Sequence, residues 1–435
     1  MNDKIKDVIV IGSGMAGVTA AKAASDELAG VEIITKGAGA TMMGSGVLDI
    51  LGAVPGEEKN IVVEEISEGM ALLLEKNPKH PYAVLKDSLE NGIKALREVC
   101  RAGGMEFTGN GIRNAAIPNI LGTYKNTAYI PSYNKYADVT TARGKILVAG
   151  FRGYTEFYPE YACKSYNAYQ KQFAPKADAA YIAVTLELPS LTNREKLTNA
   201  ELAAFFDTSE GIEELAAVLD DMKNVMGGIQ RILVPPVLGY QNYAQNMELL
   251  YETLGIPVGE ISAGGHSVSA QRLADAFEKG LENLNIKVTN QAKAVEIKKT
   301  EEGVFCVVFE QQGKTREAYA RKIVLAAGGF IGGGITSYRE DVFIPVIHEP
   351  LGRIDADMVN KKAFPGGGQP FIKTGIRVYD DMTIAQGSFS GQIFACGDLM
   401  EGYDWVYERS GAGVAAASGY LAGKNAANMA KGSEH

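Results

Sequence analysis

The sequence is poor in cysteine and histidine, the side chains that most often hold metal ions. Its four cysteines, Cys100, Cys163, Cys306 and Cys396, are far apart and form no Cys-x-x-Cys pair. The sequence therefore predicts neither a disulfide framework nor a zinc or iron–sulfur site, and a reducing cytoplasm is the compartment that fits.

Dense basic blocks and long apolar runs are also missing. Acidic residues outnumber basic residues by 52 to 43, which gives a net charge of -9, so we expect no nucleic acid as a partner. The longest weakly polar run, IVLAAGGFIGGGI, is shorter than the roughly 20 apolar residues that span a bilayer. The N-terminus lacks the successive regions of an export signal. These absences predict a cytoplasmic protein with no direct membrane span.

The order of strand and helix patterns predicts an α/β fold of Rossmann type with a central parallel sheet. A strand, a glycine turn, a helix and a second strand open the chain, the pattern restarts near Lys145, and a later strand series resumes the first domain. We expect a discontinuous domain over 1–144 and 262–435, interrupted by an inserted α/β domain over 145–261. The stretch 334–370 is rich in Gly and Pro and has little periodicity, which predicts an irregular cap over the site.

Glycine is abundant and clustered: 50 residues, about 11% of the chain against roughly 7% in an average protein. In VIVIGSGMAGVTAA, the glycines at 12, 14 and 17 stand between a strand and a helix, as the dinucleotide-binding fingerprint requires. Gly12 permits a tight turn, Gly14 lets the backbone approach a pyrophosphate, and Gly17 allows the helix to pack on the strand. The amides of the helix start attract phosphate. A turn that serves packing alone is the alternative.

The second strand departs from this fingerprint. An Asp or Glu that binds the adenosine ribose is expected at its end, but VEIITK has Thr35 there, and Glu32 points to the opposite face from Ile33. Whether the ligand has an adenosine half is therefore left open. The next segment, KGAGATMMGSGVLDI, supplies small residues against which a flat ring system can lie, and a mobile surface loop is its alternative interpretation.

Two later strand ends and a closing helix complete the predicted site. Asp398, in IFACGD, is placed to accept hydrogen bonds from a sugar-alcohol chain, or else is a solvated turn residue. Ser410 precedes a helix start whose dipole would stabilise negative charge on a reduced ring, which favours flavin over nicotinamide. The predicted cofactor-binding residues are Gly12, Ser13, Gly14, Met15, Ala16, Gly17, Thr35, Lys36, Gly37, Gly44, Ser45, Gly46, Ala327, Gly328, Gly329, Gly397, Asp398, Gly411, Ala412, Gly413 and Val414.

These motifs resemble the two-dinucleotide-binding flavoproteins of the fumarate reductase and succinate dehydrogenase type. Within that group the chain is most similar to B subunits of anaerobic glycerol-3-phosphate dehydrogenases, through TKG with GSGVLDI, HPY, LGT, KILVAGFRG, ILVPPVLG and GAGV. The resemblance implies a subunit with non-covalent FAD or FMN. It also implies a sister catalytic flavoprotein subunit and an iron–sulfur membrane-anchor subunit that passes electrons to quinone, and hence a peripheral position on the inner face of the membrane.

The implied substrate is glycerol 3-phosphate, which is oxidised to dihydroxyacetone phosphate. This chemistry requires a base for the hydroxyl proton and a cation for the phosphate. Histidine is the natural base, and we rank His348 first and His80 next, while His266 is expected to cap or pack. Arg409, beside the closing helix start, is the predicted phosphate ligand. The weaker candidates for the phosphate are Arg113, Lys125 and Arg353.

Two other functions stay open. The scarcity of histidine and the missing ribose acid are compatible with a non-catalytic flavin-fold subunit that serves as an interaction partner or relays electrons. A stand-alone flavin reductase of a small carboxylate would need paired arginines and a histidine around the ring, and no such cluster appears in sequence order.

Overall fold

The structure is a computed structural model that describes residues 5–56, 60–362 and 368–432. Its strands, in chain order, are β1 (Ile5–Ile11), β2 (Val31–Ile34), β3 (Ala53–Val54), β4 (Ile61–Val62), β5 (Phe107–Thr108), β6 (Ala115–Pro118), β7 (Tyr124–Thr127), β8 (Ile130–Pro131), β9 (Arg143–Phe151), β10 (Asp178–Leu186), β11 (Ile229–Val234), β12 (Val258–Glu260), β13 (Lys287–Thr289), β14 (Ala292–Lys299), β15 (Phe305–Gln311), β16 (Lys314–Leu325), β17 (Thr336–Tyr338), β18 (Asp341–Ile344), β19 (Glu349–Arg353) and β20 (Phe394–Ala395).

The α-helices of the same residues are α1 (Met15–Ser25), α2 (Ile66–Lys76), α3 (Tyr82–Leu85), α4 (Leu89–Ala102), α5 (Pro159–Phe173), α6 (Asn199–Phe206), α7 (Ser209–Met226), α8 (Tyr243–Leu254), α9 (Val268–Asn283), α10 (Trp405–Glu408) and α11 (Gly411–Lys431). Short 3-10 helices cover Gly39–Met43, Lys86–Ser88, Ser132–Ala137, Pro189–Leu191, Pro345–Ile347, Ala356–Met358, Pro370–Lys373 and Gly397–Leu399.

A seven-stranded sheet forms the centre of the fold. Its order is β13-β2-β1-β16-β15-β14, and β20 pairs with β16 beside this path. The pairs β13–β2, β2–β1, β1–β16 and β16–β20 are parallel, whereas β14–β15 and β15–β16 are antiparallel. The predicted α/β fold with a central sheet of parallel strands is confirmed, with an antiparallel extension at one edge.

Strand β1 shows why the sheet is buried on both faces. Val8 and Val10 belong to the core under α1, α4, α9 and α11. Ile9 and Ile11 belong to the core on the opposite face, which β14 and β15 help to form. Side chains alternate between the faces of a strand, so a continuous run of β-branched residues is what a doubly covered parallel strand needs.

Helices α1 and α11 pack backbone against backbone on one face of the sheet. A Cβ built on Gly419 would lie 2.3 Å from the carbonyl oxygen of Ala16, and one built on Gly423 would lie 2.1 Å from that of Ala20. No side chain fits at these two positions. This contact fixes the start of α11 relative to the glycine turn that precedes α1.

A second sheet coincides closely with the predicted insertion at 145–261, and its strand β9 begins at Arg143. Its four parallel strands run in the order β10-β9-β11-β12, and they have a hydrophobic core of their own with α5 to α8. Between α6 and α7, the Asp207 carboxylate accepts backbone N–H bonds from Tyr240 and Asn242. The domain boundaries at 145 and 261 stay a prediction.

A buried ion pair connects helix α9 with the second sheet. Arg272, in α9, and Glu260, at the end of β12, are both fully buried, and Arg272 Nη1 lies 2.5 Å from Glu260 Oε2. Arg272 Nε also donates to the carbonyl of Gly239, and Glu260 Oε1 accepts from the N–H of Leu238. These bonds satisfy a pair of charges that would otherwise be costly to bury.

The stretch 334–370 differs from the predicted irregular segment. It contains a three-stranded antiparallel sheet in the order β17-β18-β19. The short strand pattern is hidden because each strand has only three to five residues, and β19 itself contains Pro350 and Gly352. Residues 363–367 of the predicted cap lie outside the described residues.

We predict that Gly423→Ala destabilises the protein although alanine is the better helix former. In an exposed helix this change would stabilise by about 1 kcal/mol. Here the added methyl group meets the Ala20 carbonyl, and such overpacking costs about 1–3 kcal/mol. Urea unfolding measures the effect. The matched control is Gly432→Ala at the end of α11, where no atom lies within 4 Å. Equal stabilities of the two variants would contradict the packing argument.

Candidate functional site

One large cavity lies where the carboxyl ends of β1, β2, β16 and β20 meet the start of α11. Its volume is about 1010 Å³, at the upper end of the roughly 300–1,000 Å³ of small-molecule sites. Ligands of open α/β sheets bind at the carboxyl ends of the strands. The cavity is therefore the candidate site.

The first glycine turn forms one wall. The cavity is lined there by Gly12, Ser13, Gly14, Met15 and Ala16. Gly12 has φ +107°, and a Cβ on it would lie 2.4 Å from the carbonyl oxygen of Ala326. Gly17 does not line the cavity: its Cα faces the carbonyl of Gly12, 2.0 Å from where a Cβ would stand. Gly17 thus serves the packing of α1 on the turn.

The end of β2 carries a threonine whose hydroxyl is bound within the protein. Thr35, Lys36 and Gly37 line the cavity. Thr35 Oγ1 lies 2.9 Å from Ser13 Oγ and accepts the N–H of Gly37. Glu32 does not line the cavity, because its carboxylate pairs with Lys287 and accepts a bond from Thr289. No carboxylate of β2 takes the place of the expected ribose ligand.

The glycine-rich segment after β2 is divided between lining and packing. Gly44 and Ser45 line the cavity, next to the 3-10 helix Gly39–Met43. Gly46 has φ +74° and faces the carbonyl of Ser269, 2.7 Å from an added Cβ. Gly46 therefore allows this segment to approach α9, and it does not line the cavity.

Two further strand ends contribute small residues. Ala327, Gly328, Gly397 and Asp398 line the cavity. Gly329 does not, since it packs against the carbonyl of Asp398. Asp398 accepts a bond from Tyr403 Oη at 2.8 Å. Burial raises the pKa of Asp398 to about 6, although the Tyr403 hydrogen bond lowers it.

The start of α11 also opens into the cavity. Gly411 and Ala412 line it, whereas Gly413 and Val414 lie behind them, and Gly413 packs against the hydroxyl of Tyr82. The N-cap residue Ser410 makes no side-chain bond to the first turn of α11. Helix α1 has no side-chain cap either. Two helix starts without a side-chain cap therefore face one cavity, although the N–H of Gly413 in α11 donates to the carbonyl of Asp49.

The lining residues fit a flavin. A Cβ on Gly14 would meet only Thr41 Oγ1, at 3.8 Å, so the backbone is open to a ligand there. Uncapped helix starts and basic side chains favour phosphate groups and a ring that gains negative charge. Among the described residues, the charged lining side chains are Lys36, Lys125, Lys293, Arg409, Asp49 and Asp398. The cavity is thus positive within a chain of net charge -9.

Two of the predicted catalytic residues, His348 and Arg409, line the cavity. Both have φ +53°, in the left-handed backbone region that residues other than glycine rarely adopt. His348 is exposed. Arg409 Nη1 donates to the carbonyl of Tyr124 at 3.2 Å. Burial lowers the pKa of Arg409, and the nearby Asp49 raises it.

His80 does not line the cavity. Its ring is buried, its Nδ1 accepts the backbone N–H of Tyr82, and its Nε2 lies 3.0 Å from Glu408 Oε2. Nε2 therefore carries the hydrogen atom of the neutral ring and donates a hydrogen bond to the Glu408 carboxylate. Glu408 also accepts from Ser410 Oγ. The structure places His80 in a network that holds both neighbours of Arg409 in the chain.

Sequence reasoning did not find every lining residue. Asp49, Lys293 and Trp405 line the cavity, and Trp405 is the single tryptophan of the chain. Asp49 lies within a motif used for the resemblance, but nothing in the sequence pairs it with Lys125, which is 76 residues away. Arg113 and Arg353 lie outside the cavity and pair with acidic residues. His266 also does not line it.

Neither a metal cluster nor a membrane helix is found in the part of the chain that the structure describes. It contains no group of three or more His, Cys, Asp or Glu side chains that could hold a metal ion. Over residues 5–56, 60–362 and 368–432, none of the helices combines the length and the apolar character that crossing a bilayer requires.

The raised pKa of Asp398 predicts a pH dependence of stability. The folded state binds the proton more tightly than the unfolded state, whose aspartate pKa is about 4. The contribution of this group to the free energy of unfolding is therefore complete below about pH 4 and is lost as the pH rises through about 6. Urea unfolding of cofactor-free protein measures it. Asp398→Asn should gain stability relative to wild type between pH 4.5 and 7, and parallel pH profiles would contradict the assignment.

Comparisons with known proteins identify the family of the chain. A family model described as "FAD binding domain" matches residues 7–240. The chain is 26% identical over 437 residues to a protein of Halobacterium salinarum that is named as the B subunit of a probable anaerobic glycerol-3-phosphate dehydrogenase, covering 97% of each chain. A protein of Mannheimia succiniciproducens, named as the B subunit of an anaerobic glycerol-3-phosphate dehydrogenase, is 22% identical over 427 residues, covering 94% of this chain and 95% of the relative.

Solved structures include an open conformation of a flavocytochrome c3 fumarate reductase. It is 10% identical to this chain, the match covers 98% of this chain and 79% of that protein, and the TM-score is 0.40. The family match spans more than half of the chain, and the predicted flavin cofactor is confirmed by it. The chain belongs to the FAD binding domain family and is a flavin-dependent oxidoreductase.

Proposed function

We propose that this chain is the flavin-bearing B subunit of a glycerol-3-phosphate dehydrogenase complex. In this proposal it oxidises glycerol 3-phosphate to dihydroxyacetone phosphate, and electrons pass to quinone through its partners. The observation that carries the proposal is that the flavin-fitting turns and the cations Arg409 and Lys125 line the same cavity. The names of its relatives over nearly the whole chain support the same substrate.

The cofactor and the side chains divide the chemistry. When bound, the flavin supplies the acceptor for the hydride of the carbinol carbon. Arg409 holds the phosphate by charge-assisted hydrogen bonds. His348 accepts the proton of the hydroxyl group, because imidazole is a common general base and this one lines the cavity. His80 positions Arg409 through Glu408 and does not touch the substrate.

The proposed partners are a sister catalytic flavoprotein subunit and an iron–sulfur membrane-anchor subunit. Their presence is supported by the relatives, which are named as subunits. The chain itself offers no metal cluster among its described residues, so onward electron transfer falls to a partner. We propose that this partner also holds the chain at the inner face of the membrane.

A second candidate function is a non-catalytic subunit that relays electrons. One observation favours it: of the histidines in the described residues, His348 alone lines the cavity, and it is exposed. A stand-alone reductase of a small carboxylate has less support. It would require paired arginines, and Arg409 is the one arginine among the described lining residues.

The first experiment identifies the cofactor. Heating the purified yellow protein should release one flavin, whose mass distinguishes FAD from FMN. Trp405 lines the cavity, so its fluorescence should rise when the flavin is removed and fall when the same flavin is returned. A colourless preparation that binds neither nucleotide would contradict the proposed site.

The second experiment tests catalysis in the assembled complex. Under anaerobic conditions, glycerol 3-phosphate should bleach the flavin of this chain. His348→Asn, which tolerates the left-handed backbone, should lower kcat by about 100-fold or more through loss of the base. Arg409→Gln should raise KM by about 10-fold or more through loss of a charged hydrogen bond.

Both variants have matched controls. His266 has φ 58° and Arg339 has φ 56°, and neither lines the cavity. His266→Asn and Arg339→Gln should therefore leave kcat and KM unchanged. If all four variants turn over like the wild type, the relay function is favoured and the catalytic proposal is wrong.

A further inference from the structure

Three charged side chains that belong to none of the glycine turns line the cavity. Asp49 comes from the segment after β2, Lys125 from the short strand β7, and Arg409 from the end of α10. They come from distant parts of the chain and from outside the seven-stranded sheet, so the dinucleotide fingerprint does not account for them.

Lys125 and Asp49 form a close pair. Lys125 Nζ lies 2.6 Å from Asp49 Oδ2, and each side chain is less than a fifth exposed. Asp49 Oδ1 is buried, and no hydrogen-bond partner for it is found among the residues that the structure describes. A buried carboxylate oxygen without a donor is costly. This oxygen can therefore accept a hydrogen bond from a ligand.

Arg409 adds a second cation to the pair. Asp49 interacts electrostatically with its guanidinium, so one carboxylate lies near two cations. The local charge is positive. An anion with two or more oxygen atoms can bridge a guanidinium and an ammonium group, while the free Asp49 oxygen rejects a second anionic group and accepts a hydroxyl group.

We propose that Asp49, Lys125 and Arg409 form a subsite for a phosphomonoester that carries a hydroxyl group close to the phosphate. Lys125 and Arg409 hold the phosphate, and Asp49 Oδ1 accepts the hydrogen bond of the hydroxyl. This inference rests on the proposed function for the choice of glycerol 3-phosphate as probe. It assigns Lys125 and Asp49, beyond Arg409, to the selection of substrate.

Calorimetric titration of the flavin-loaded chain measures this binding without turnover. The probes are glycerol 3-phosphate and propyl phosphate, which has the same number of carbon atoms and no hydroxyl group. Wild type should bind glycerol 3-phosphate more tightly. Lys125→Met should weaken binding of both probes by about 10- to 100-fold, the range for a lost charge-assisted hydrogen bond. Asp49→Ala should bind both probes with equal affinity.

The matched control is Lys223→Met. Lys223 pairs with Asp220, also at 2.6 Å, and is 21% exposed against 19% for Lys125, but it does not line the cavity. This variant should bind both probes like the wild type. Thermal unfolding of each flavin-loaded variant shows whether a loss of binding comes from a loss of fold. The preference of the wild type for glycerol 3-phosphate over propyl phosphate tests the subsite even if a variant does not fold.

The outcomes separate this inference from the proposed function. If Lys125→Met and Asp49→Ala bind and turn over glycerol 3-phosphate like the wild type, the subsite is wrong and the proposed function stands. If the complex does not oxidise glycerol 3-phosphate, but wild type binds a phosphomonoester and Lys125→Met does not, the subsite stands and the proposed substrate is wrong. Failure of the wild type to bind either probe would overturn the subsite.

Discussion

The structure depends on backbone segments that approach one another more closely than any side chain allows. Gly12 meets the carbonyl of Ala326, and Gly17 meets the carbonyl of Gly12. Between helices α1 and α11, Gly419 and Gly423 meet the carbonyls of Ala16 and Ala20. These contacts set the distance between β1, β16, α1 and α11. At the first glycine turn the cavity wall is consequently made of main chain, and amide groups form the surface there that a phosphate or a ring would touch.

The second organising property is a local reversal of charge. The chain carries a net charge of -9, yet basic side chains predominate among the charged residues that line the cavity. Two uncapped helix starts add partial positive charge to the same volume. An anionic cofactor or substrate is thus attracted to a specific place, while the acidic outer surface keeps other polyanions away.

Local sequence patterns predicted much of the fold and many of the small residues that line the cavity, because a strand, a glycine turn and a helix are specified within about twenty residues. The same pattern did not separate lining glycines from packing glycines. Gly17, Gly46, Gly329 and Gly413 lie behind the wall. Gly17 packs against Gly12 within the same motif, whereas the other three pack against neighbours that are distant in sequence.

The polar side of the site was harder to predict for the same reason. The Lys125–Asp49 pair joins residues 76 positions apart, and no periodicity encodes such a contact. His80 has the residue type of a base, but its environment is set by Glu408, 328 positions away. In the stretch 334–370, strands of three to five residues are too short for their alternation to stand out among glycines and prolines.

The buried pair of Arg272 and Glu260 has an evolutionary consequence. Removing one partner from such a pair costs about 3–5 kcal/mol, which is a large part of the 5–15 kcal/mol that typically separates a native protein from its unfolded chain. Two apolar residues in their place could be tolerated, but single substitutions lead there only through a weakened intermediate. The pair therefore restricts the mutational paths open to the contact between α9 and the second sheet, independently of any selection on catalysis.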